Sequence, residues 1–369
     1  MHPLAFVTVG LWAAVALPAT SARPKLGAIR WDGWWSGNPW ERNLKPSQWR
    51  TRLPFYARVT REGEVEVRSD AQATMDREIR YASRAGIDYW AFCYYHPDSW
   101  PEADRYNYGW KLFLSSKVRS RLHFCFILQG GQHLGPASKW SSTVAFLAAL
   151  FAKPTYQKVC GGRPLLFVFA CEWIEKHFGS IAAARSAFDE LRRASIRAGA
   201  GNPYIVAQVF SAEDGARYVD AFGWDAIGAY SLPGGGEHKE YPYRELATAN
   251  LRAWERFLAT GKDVVPLVNA GWDGRPRLND PNMARNYAGP WYARPTPDEL
   301  AHSIVAALDW TRLHAMATPA DTVLVYAWNE SDEGGWLVPT LAEGSRRLDA
   351  IARALRPYEV AIKARGREQ

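Results

Sequence analysis

The sequence predicts a single closed (β/α)8 barrel, and three observations carry that expectation. Apolar, β-prone runs recur eight times with helical patterns between them, the rhythm of parallel strands joined by crossover helices. The units follow one another evenly with no Pro/Gly/Ser-rich linker, so 369 residues read as one large domain. No glycine-rich phosphate loop follows the first strand, which weighs against an open dinucleotide-binding sheet. In a closed barrel every polar strand end faces one mouth, where sites are built.

The first strand reads as 26–31 and runs into Asp32-Gly33-Trp34-Trp35. A Trp-, Pro- and Arg-rich excursion follows, with alternation over 64–67 that fits part of a small hairpin. Asp70 is placed to cap a helix carrying Met75, Ile79 and Ala82 on one face, stopped by Gly86. Strand two, 87–94, ends in Tyr95-His96-Pro97-Asp98, and a helix over 108–117 follows. Strand three, 122–128, ends in Gln129-Gly130-Gly131-Gln132-His133. The helix 141–152 carries Val144, Leu147, Leu150 and Phe151 on its inner stripe. Strand four, 164–170, ends at Cys171-Glu172-Trp173, and helix 180–197 leads to strand five, 204–210. Strand six, 226–230, opens into the glycine-rich loop 233–236. Helix 243–260 precedes strand seven, 264–268, which runs into a loop containing Trp272, Asp273, Arg275 and Arg277. The next helix opens with Thr296-Pro297-Asp298-Glu299, a capping box with proline at N1. Strand eight climbs through Leu324 to Trp328, and a last helix carries Leu348, Ile351 and Leu355.

The composition is that of a globular protein, 47% hydrophobic and 22% charged. Its aromatic load, 18 Trp and 17 Tyr, gathers beside strand ends and glycines. Flat rings there suit stacking on the apolar face of a sugar, or they fill the core. The net charge of +7 is spread along the chain, its densest stretches falling on a helix and the tail, so nucleic acid is not expected as a partner. Residues 4–17 are almost wholly apolar, Pro18 breaks the run, and Thr20-Ser21-Ala22 offers small residues before Arg23. That pattern predicts a signal peptide over 1–22 and a barrel over 23–369, secreted or periplasmic, with no membrane insertion after cleavage. A retained anchor is the alternative. Cys93, Cys125 and Cys171 lie in or beside apolar strands, which predicts reduced, buried thiols, and no Cys/His spacing resembles a zinc site.

The chain is organised around Trp328-Asn329-Glu330-Ser331-Asp332-Glu333-Gly334-Gly335-Trp336. If the backbone turns helically after Glu330, that residue and Glu333 share a face, an arrangement suited to paired acid/base work on a glycosidic bond. Asp332, between them, would push their pKa values up by like-charge repulsion. Three clustered acids could also hold calcium, but the flanking tryptophans make poor metal neighbours and no cofactor is expected. Other strand ends offer substrate-binding candidates: Asp32, Trp34, Tyr95, His96, Gln129, Glu172, Tyr230, Trp272, Asp273, Arg275, Asn329 and Trp336. Several have a second reading. His96 is a ligand group or a turn residue, Glu172 an alternative acid or an arginine's partner, and Asp273 with Arg275 a structural ion pair or part of the site.

The run Trp328-Asn329-Glu330-x-x-Glu333-Gly334 resembles the signature of glycoside hydrolase family 99 and its WbsX-like relatives. Gly86-Ile87-Asp88 leading to Tyr94-Tyr95-His96-Pro97, Tyr156-x-x-Val159 before Pro164, and Gly271-Trp272-Asp273-x-Arg275 agree in order, so the resemblance spans about residues 27–340. It implies a (β/α)8 barrel and retaining, endo-acting cleavage of α-mannosidic linkages without a metal. It also implies that Glu333 is the general acid/base and that Glu330 draws the sugar's 2-hydroxyl onto the anomeric carbon. Two departures concern the substrate: Ser331-Asp332 replaces the Trp-His typical of the mannosidases, and Gln129-Gly130-Gly131 stands where a Glu-Pro-Tyr-like turn is expected. A glycan-binding barrel without catalysis, or a WbsX-like protein of polysaccharide assembly, is the other reading.

Overall fold

The computed structural model describes residues 23–279 and 284–365, so the expected signal segment lies outside the described residues. The eight expected strands are present: β1 (Lys25–Arg30), β2 (Tyr89–Tyr94), β3 (His123–Gln129), β4 (Arg163–Phe169), β5 (Tyr204–Gln208), β6 (Ala226–Gly228), β7 and β8 (Thr322–Tyr326). β7 is in two pieces, Asp263–Val264 and Leu267–Asn269. Each strand lies parallel to its neighbours in sequence order, with β1 between β2 and β8.

The split in β7 closes the barrel. Its first piece pairs with Ala226 and Ile227, and Val265 N donates to the Ile227 carbonyl at 2.8 Å. Its second piece pairs with 324–326, and Leu324 N donates to the Pro266 carbonyl at 2.9 Å. Proline has no N–H to give to a ladder, so the strand changes partner at Pro266. Expected as one continuous strand, β7 is two short ones for this reason.

Helices pack outside: α1 (Gln72–Arg84), α2 (Tyr108–Ser115), α3 (Trp140–Phe151), α4 (Ile181–Arg197), α5 (Ala212–Phe222), α6 (Tyr243–Leu258), α7 (Pro297–Leu313) and α8 (Arg346–Arg365). The Thr296 capping box is present, with both reciprocal hydrogen bonds made. Two expectations need correction. Asp70 does not cap α1; the N-cap is Ala71, and the Asp70 carboxylate accepts instead from Ser36 N at 3.0 Å. The sequence reading also names no helix between strands five and six, where α5 lies. Ser211 begins it by accepting from Asp214 N, and Gly223 ends it in the left-handed conformation at φ 67°.

The barrel interior is filled rather than open. Tyr89 is fully buried and its ring occupies the space that a side chain at Gly27 would need, with its hydroxyl 2.9 Å from Thr322 Oγ1. The expected hairpin forms between Ala57–Val59 and Val65–Val67. All four cysteines are free, and Cys93, Cys125 and Cys171 are buried. Among the described residues no helix is long and apolar enough to cross a membrane.

Candidate active site

Beyond β8 the chain does what the carboxylate pair requires. Asn329–Glu330 pairs antiparallel with Gly335–Trp336, and Ser331–Glu333 forms one turn of 3-10 helix between them. Gly334 closes the turn at φ 85°, a conformation that costs glycine little. Glu330, the last residue before the turn, and Glu333, the last residue within it, both reach the guanidinium of Arg277 and are exposed by only 3% and 7%.

Arg277 joins them, from the short turn Arg275–Arg277 after β7. Its guanidinium grips Asp332 with two hydrogen bonds of 2.7 and 3.0 Å, hydrogen-bonds Glu333 Oε1, and lies 3.6 Å from Glu330 Oε2. Trp31, Trp40 and Tyr287 surround it, with ring centroids 5.4, 5.1 and 5.5 Å from its central carbon. One guanidinium thus lies among three acid side chains and hydrogen-bonds two of them. Among the described residues no three His, Cys, Asp or Glu side chains are arranged so that they could hold a metal ion.

The two glutamates sit in different fields. Glu333 accepts from Arg277, from the Tyr287 hydroxyl at 2.5 Å, and from the Tyr326 hydroxyl. Glu330 accepts one hydrogen bond, from Tyr230 at 2.7 Å, and its Oε2 has no hydrogen-bond partner. Burial, then the nearby charge of Glu333, push the Glu330 carboxyl well above the usual range; Arg277 opposes this and Asp332 adds to it. The expected effect of Asp332 is thus present at Glu330, though secondary. Asp332 itself is committed to Arg277 and to the Asn43 amide at 2.9 Å.

The other candidates fall into three groups. Tyr230, Trp272 and Tyr95 stand around the pair. Tyr230 touches Glu330 directly, and Trp272 stacks on Tyr287 at 5.9 Å. Tyr95 lies among Trp100, Tyr106 and His133. Gln129 is nearby but faces a separate hollow between the ends of β3 and β4.

A second group supports the site from beneath. The Asn329 amide accepts from Trp31 N at 3.0 Å and donates to the Trp31 carbonyl at 2.6 Å, clamping β1 to the β8 loop. Trp34 is fully buried and donates to the Asn329 carbonyl. Trp336 is buried under the Arg347 guanidinium, 3.9 Å from its ring centre. Asp273 holds Arg275 with bonds of 2.8 and 2.9 Å and also binds Arg52. Burial pushes Asp273 up, but Arg275 and Arg52 outweigh it and hold the carboxyl below its usual range. Its backbone N–H donates to the Glu333 carbonyl at 2.7 Å, tying the two loops together.

A third group lies away from the pair. Asp32 is fully buried between sheet and helices, bonded to Arg30 at 2.9 Å, while Arg30 also binds Glu78 of α1. Side chains alternate along a strand, so Asp32 follows Arg30 outward and Trp31 faces the mouth instead. His96 is a turn residue whose Nδ1 accepts from Asp98 N at 3.1 Å. Glu172 is exposed on the outer rim. Sequence reasoning missed Arg277, Tyr287 and Tyr326 as site residues. The one signal available for Arg277 was the need of three clustered acids for a cation.

The fold and site together define a (β/α)8 barrel with a carboxylate pair at its C-terminal mouth. Solved structures share this fold. A glycoside hydrolase-like protein superposes with a TM-score of 0.62 at 13% identity, over 93% of this chain and 97% of that one. The GH99 endo-alpha-mannosidase from Bacteroides thetaiotaomicron, in complex with bis-tris-propane, gives 0.58 at 14% identity, over 95% of this chain and 100% of that one. A second structure of that enzyme gives 0.57 at 14% identity, over 94% of this chain and 99% of that one. At such identities the likeness is one of fold. No protein-family model matches the sequence, and no curated protein does.

Proposed function

We propose that this chain is a retaining glycoside hydrolase that cleaves α-mannoside-like linkages within a glycan or polysaccharide, using Glu330 and Glu333. One observation carries the reading. Two carboxyls of unlike electrostatic environment share one guanidinium at the mouth of a (β/α)8 barrel. A buried carboxyl raised above its usual range beside a second carboxyl is a common mark of acid/base chemistry. The fold likeness to family 99 structures and the signature at 328–334 support the substrate class.

In the free site burial, then the charge of Glu333, favour the protonated form of Glu330. The roles implied by the resemblance need that proton on Glu333. A 2-hydroxyl approaching Glu330 gives up its proton there while the hydroxyl oxygen bonds to the anomeric carbon. Glu333, having received the resting proton, passes it to the departing oxygen as that bond breaks; it then takes one from the incoming water, whose oxygen displaces the 2-oxygen from the anomeric carbon while Glu330 returns its proton to that 2-oxygen. Two inversions at the anomeric carbon give net retention. Substrate entry, rather than the free site, therefore sets the working protonation state.

A reading as a glycan-binding barrel without chemistry is favoured by the burial of both carboxyls beneath Arg277 and the tyrosines. A screen of the protein against α-mannans and bacterial polysaccharides separates the two. Released oligosaccharide supports hydrolysis, whereas saturable binding with no release supports the binding reading. An activated aryl leaving group then assigns the roles: it restores Glu333→Gln and not Glu330→Gln if Glu333 is the acid, and the reverse if the resting proton is the catalytic one.

A further inference from the structure

A hollow of about 660 Å³ opens between the ends of β3 and β4, lined by Gln129, Gly131, His133, Phe169, Trp173 and Lys176 among others. Its walls follow from the two glycines that depart from the family pattern. A side chain at Gly130 would strike the Ala170 carbonyl at 2.2 Å, and Gly130 N donates to the Phe169 carbonyl at 2.9 Å, so the two loops touch through backbone. Gly131 holds φ 67° with Trp173 against it.

The hollow is equipped to bind a ligand. Gln129 is 6% exposed, yet its amide Nε2 has no partner, and the Nδ1 of half-buried His133, itself out of solvent, has none either. Buried polar groups normally find partners, and these lack one within the protein. Trp173 is 47% exposed, a large flat ring at the edge, and Lys176 lies over it with Nζ 5.2 Å from the ring centre. No carboxylate lines the hollow. The one charged side chain in its lining is the Lys176 ammonium, set beside the Gln129 and Gln132 amides and two imidazoles, so the lining favours a ligand that carries negative charge. The hollow also adjoins the carboxylate pair: Phe169 lies against Tyr230 at 4.6 Å, and Tyr230 donates to Glu330.

We propose that this hollow is a substrate subsite for a sugar ring bearing an anionic group, a carboxylate or a sulfate ester, with Trp173 under the ring and Lys176 and Gln129 on the anion. This names the substrate class for the hydrolase reading above and rests on it. The binding of small, uncleavable glycosides tests it apart from catalysis. Calorimetric titration would compare methyl α-D-mannopyranosiduronate, methyl α-D-mannopyranoside 6-sulfate and neutral methyl α-D-mannopyranoside. At least one anionic glycoside should bind about tenfold more tightly than the neutral one, the worth of one charge-assisted hydrogen bond. The two anionic arms tell carboxylate from sulfate. Lys176→Gln, at an exposed position, should remove that preference and leave neutral binding unchanged, while Trp173→Ala should weaken every arm. Equal binding of neutral and anionic glycosides, no saturable binding of either anion, or an anionic preference that survives Lys176→Gln overturns the proposal. Hydrolysis of neutral mannan with no anionic preference leaves the hydrolase standing and removes the subsite. Lys176-dependent anion binding with no cleavage of any glycan does the opposite.

Discussion

Arg277 hydrogen-bonds two buried acids, Asp332 and Glu333, and lies beside a third, Glu330, so its removal should be felt in both folding and activity. Arg277→Gln leaves Asp332 and Glu333 without their cation, and stranding a buried charge costs about 3–5 kcal/mol. The expected result is a steep fall in melting temperature; an unchanged value would mean that the acids are neutral or hydrated. Glu330→Gln should behave in the opposite way. Its carboxyl is held above its ordinary range, so the ionised form is the one the fold disfavours. The sign follows: its stabilising contribution is present below the ordinary carboxylate pKa and is lost as pH rises through the raised value. At neutral pH, Glu330→Gln should therefore melt at or above wild type while losing about 10² to 10⁴ in turnover. A lower melting temperature that persists across pH would contradict this. Trp272 stacks on Tyr287, which hydrogen-bonds Glu333. Trp272→Ala should weaken saccharide binding with little change in melting, and the converse result would make it a core residue.

Single elements show what sequence can and cannot reveal. The turn after β8 was legible because both its carboxylates and its glycines lie within a few residues, and local spacing decides which side chains share a face. Asp32 was misplaced by one residue, since a strand end states its polarity but not its parity. The structure turns Asp32 outward with Arg30 and brings Trp31 to the mouth. Arg277 and Tyr287 were not legible because they meet Glu333 from 56 and 46 residues away, across loops whose path no local rule gives. The layer between β1 and α1 makes its own prediction. Arg30 shares its charge between Asp32 and Glu78, and burial pushes the Asp32 carboxyl from 3.8 to about 6. A raised carboxylate stabilises below its ordinary pKa and loses that contribution as pH climbs through the raised one. Between about pH 4 and about pH 8, wild type should thus lose about 2–3 kcal/mol relative to Asp32→Asn. Chemical denaturation across that range checks it, and a constant difference between the two proteins would refute it.

For the whole molecule, the barrel closes by two exchanges of partner: β7 switches neighbours at Pro266, and Asn329 clamps β1 to the β8 loop. Eight strands were legible from their regular alternation with helical patterns, while the split in β7 was not, because its pieces are too brief for periodicity to register; helix α5 was overlooked although Ala212, Gly215, Tyr218, Val219 and Phe222 stand at helical spacing. At the opposite end of β1, Arg23 bonds Asp88 at 2.6 Å and the Gly86 carbonyl at 2.6 Å. Cleavage after Ala22 would keep this anchor, and N-terminal sequencing of protein from its native host should begin at or near Arg23; a chain retaining Met1 would remove the expectation of export. The central claim concerns the mouth, where Glu330 and Glu333 are set on one turn and share one guanidinium. Carboxyls about 5 Å apart retain anomeric configuration, whereas inversion needs roughly 6.5–9.5 Å to admit water between. Proton NMR of the first product released from an α-mannan, before mutarotation, is the most direct test: the account predicts the α-anomer, and a β-anomer formed first would contradict it.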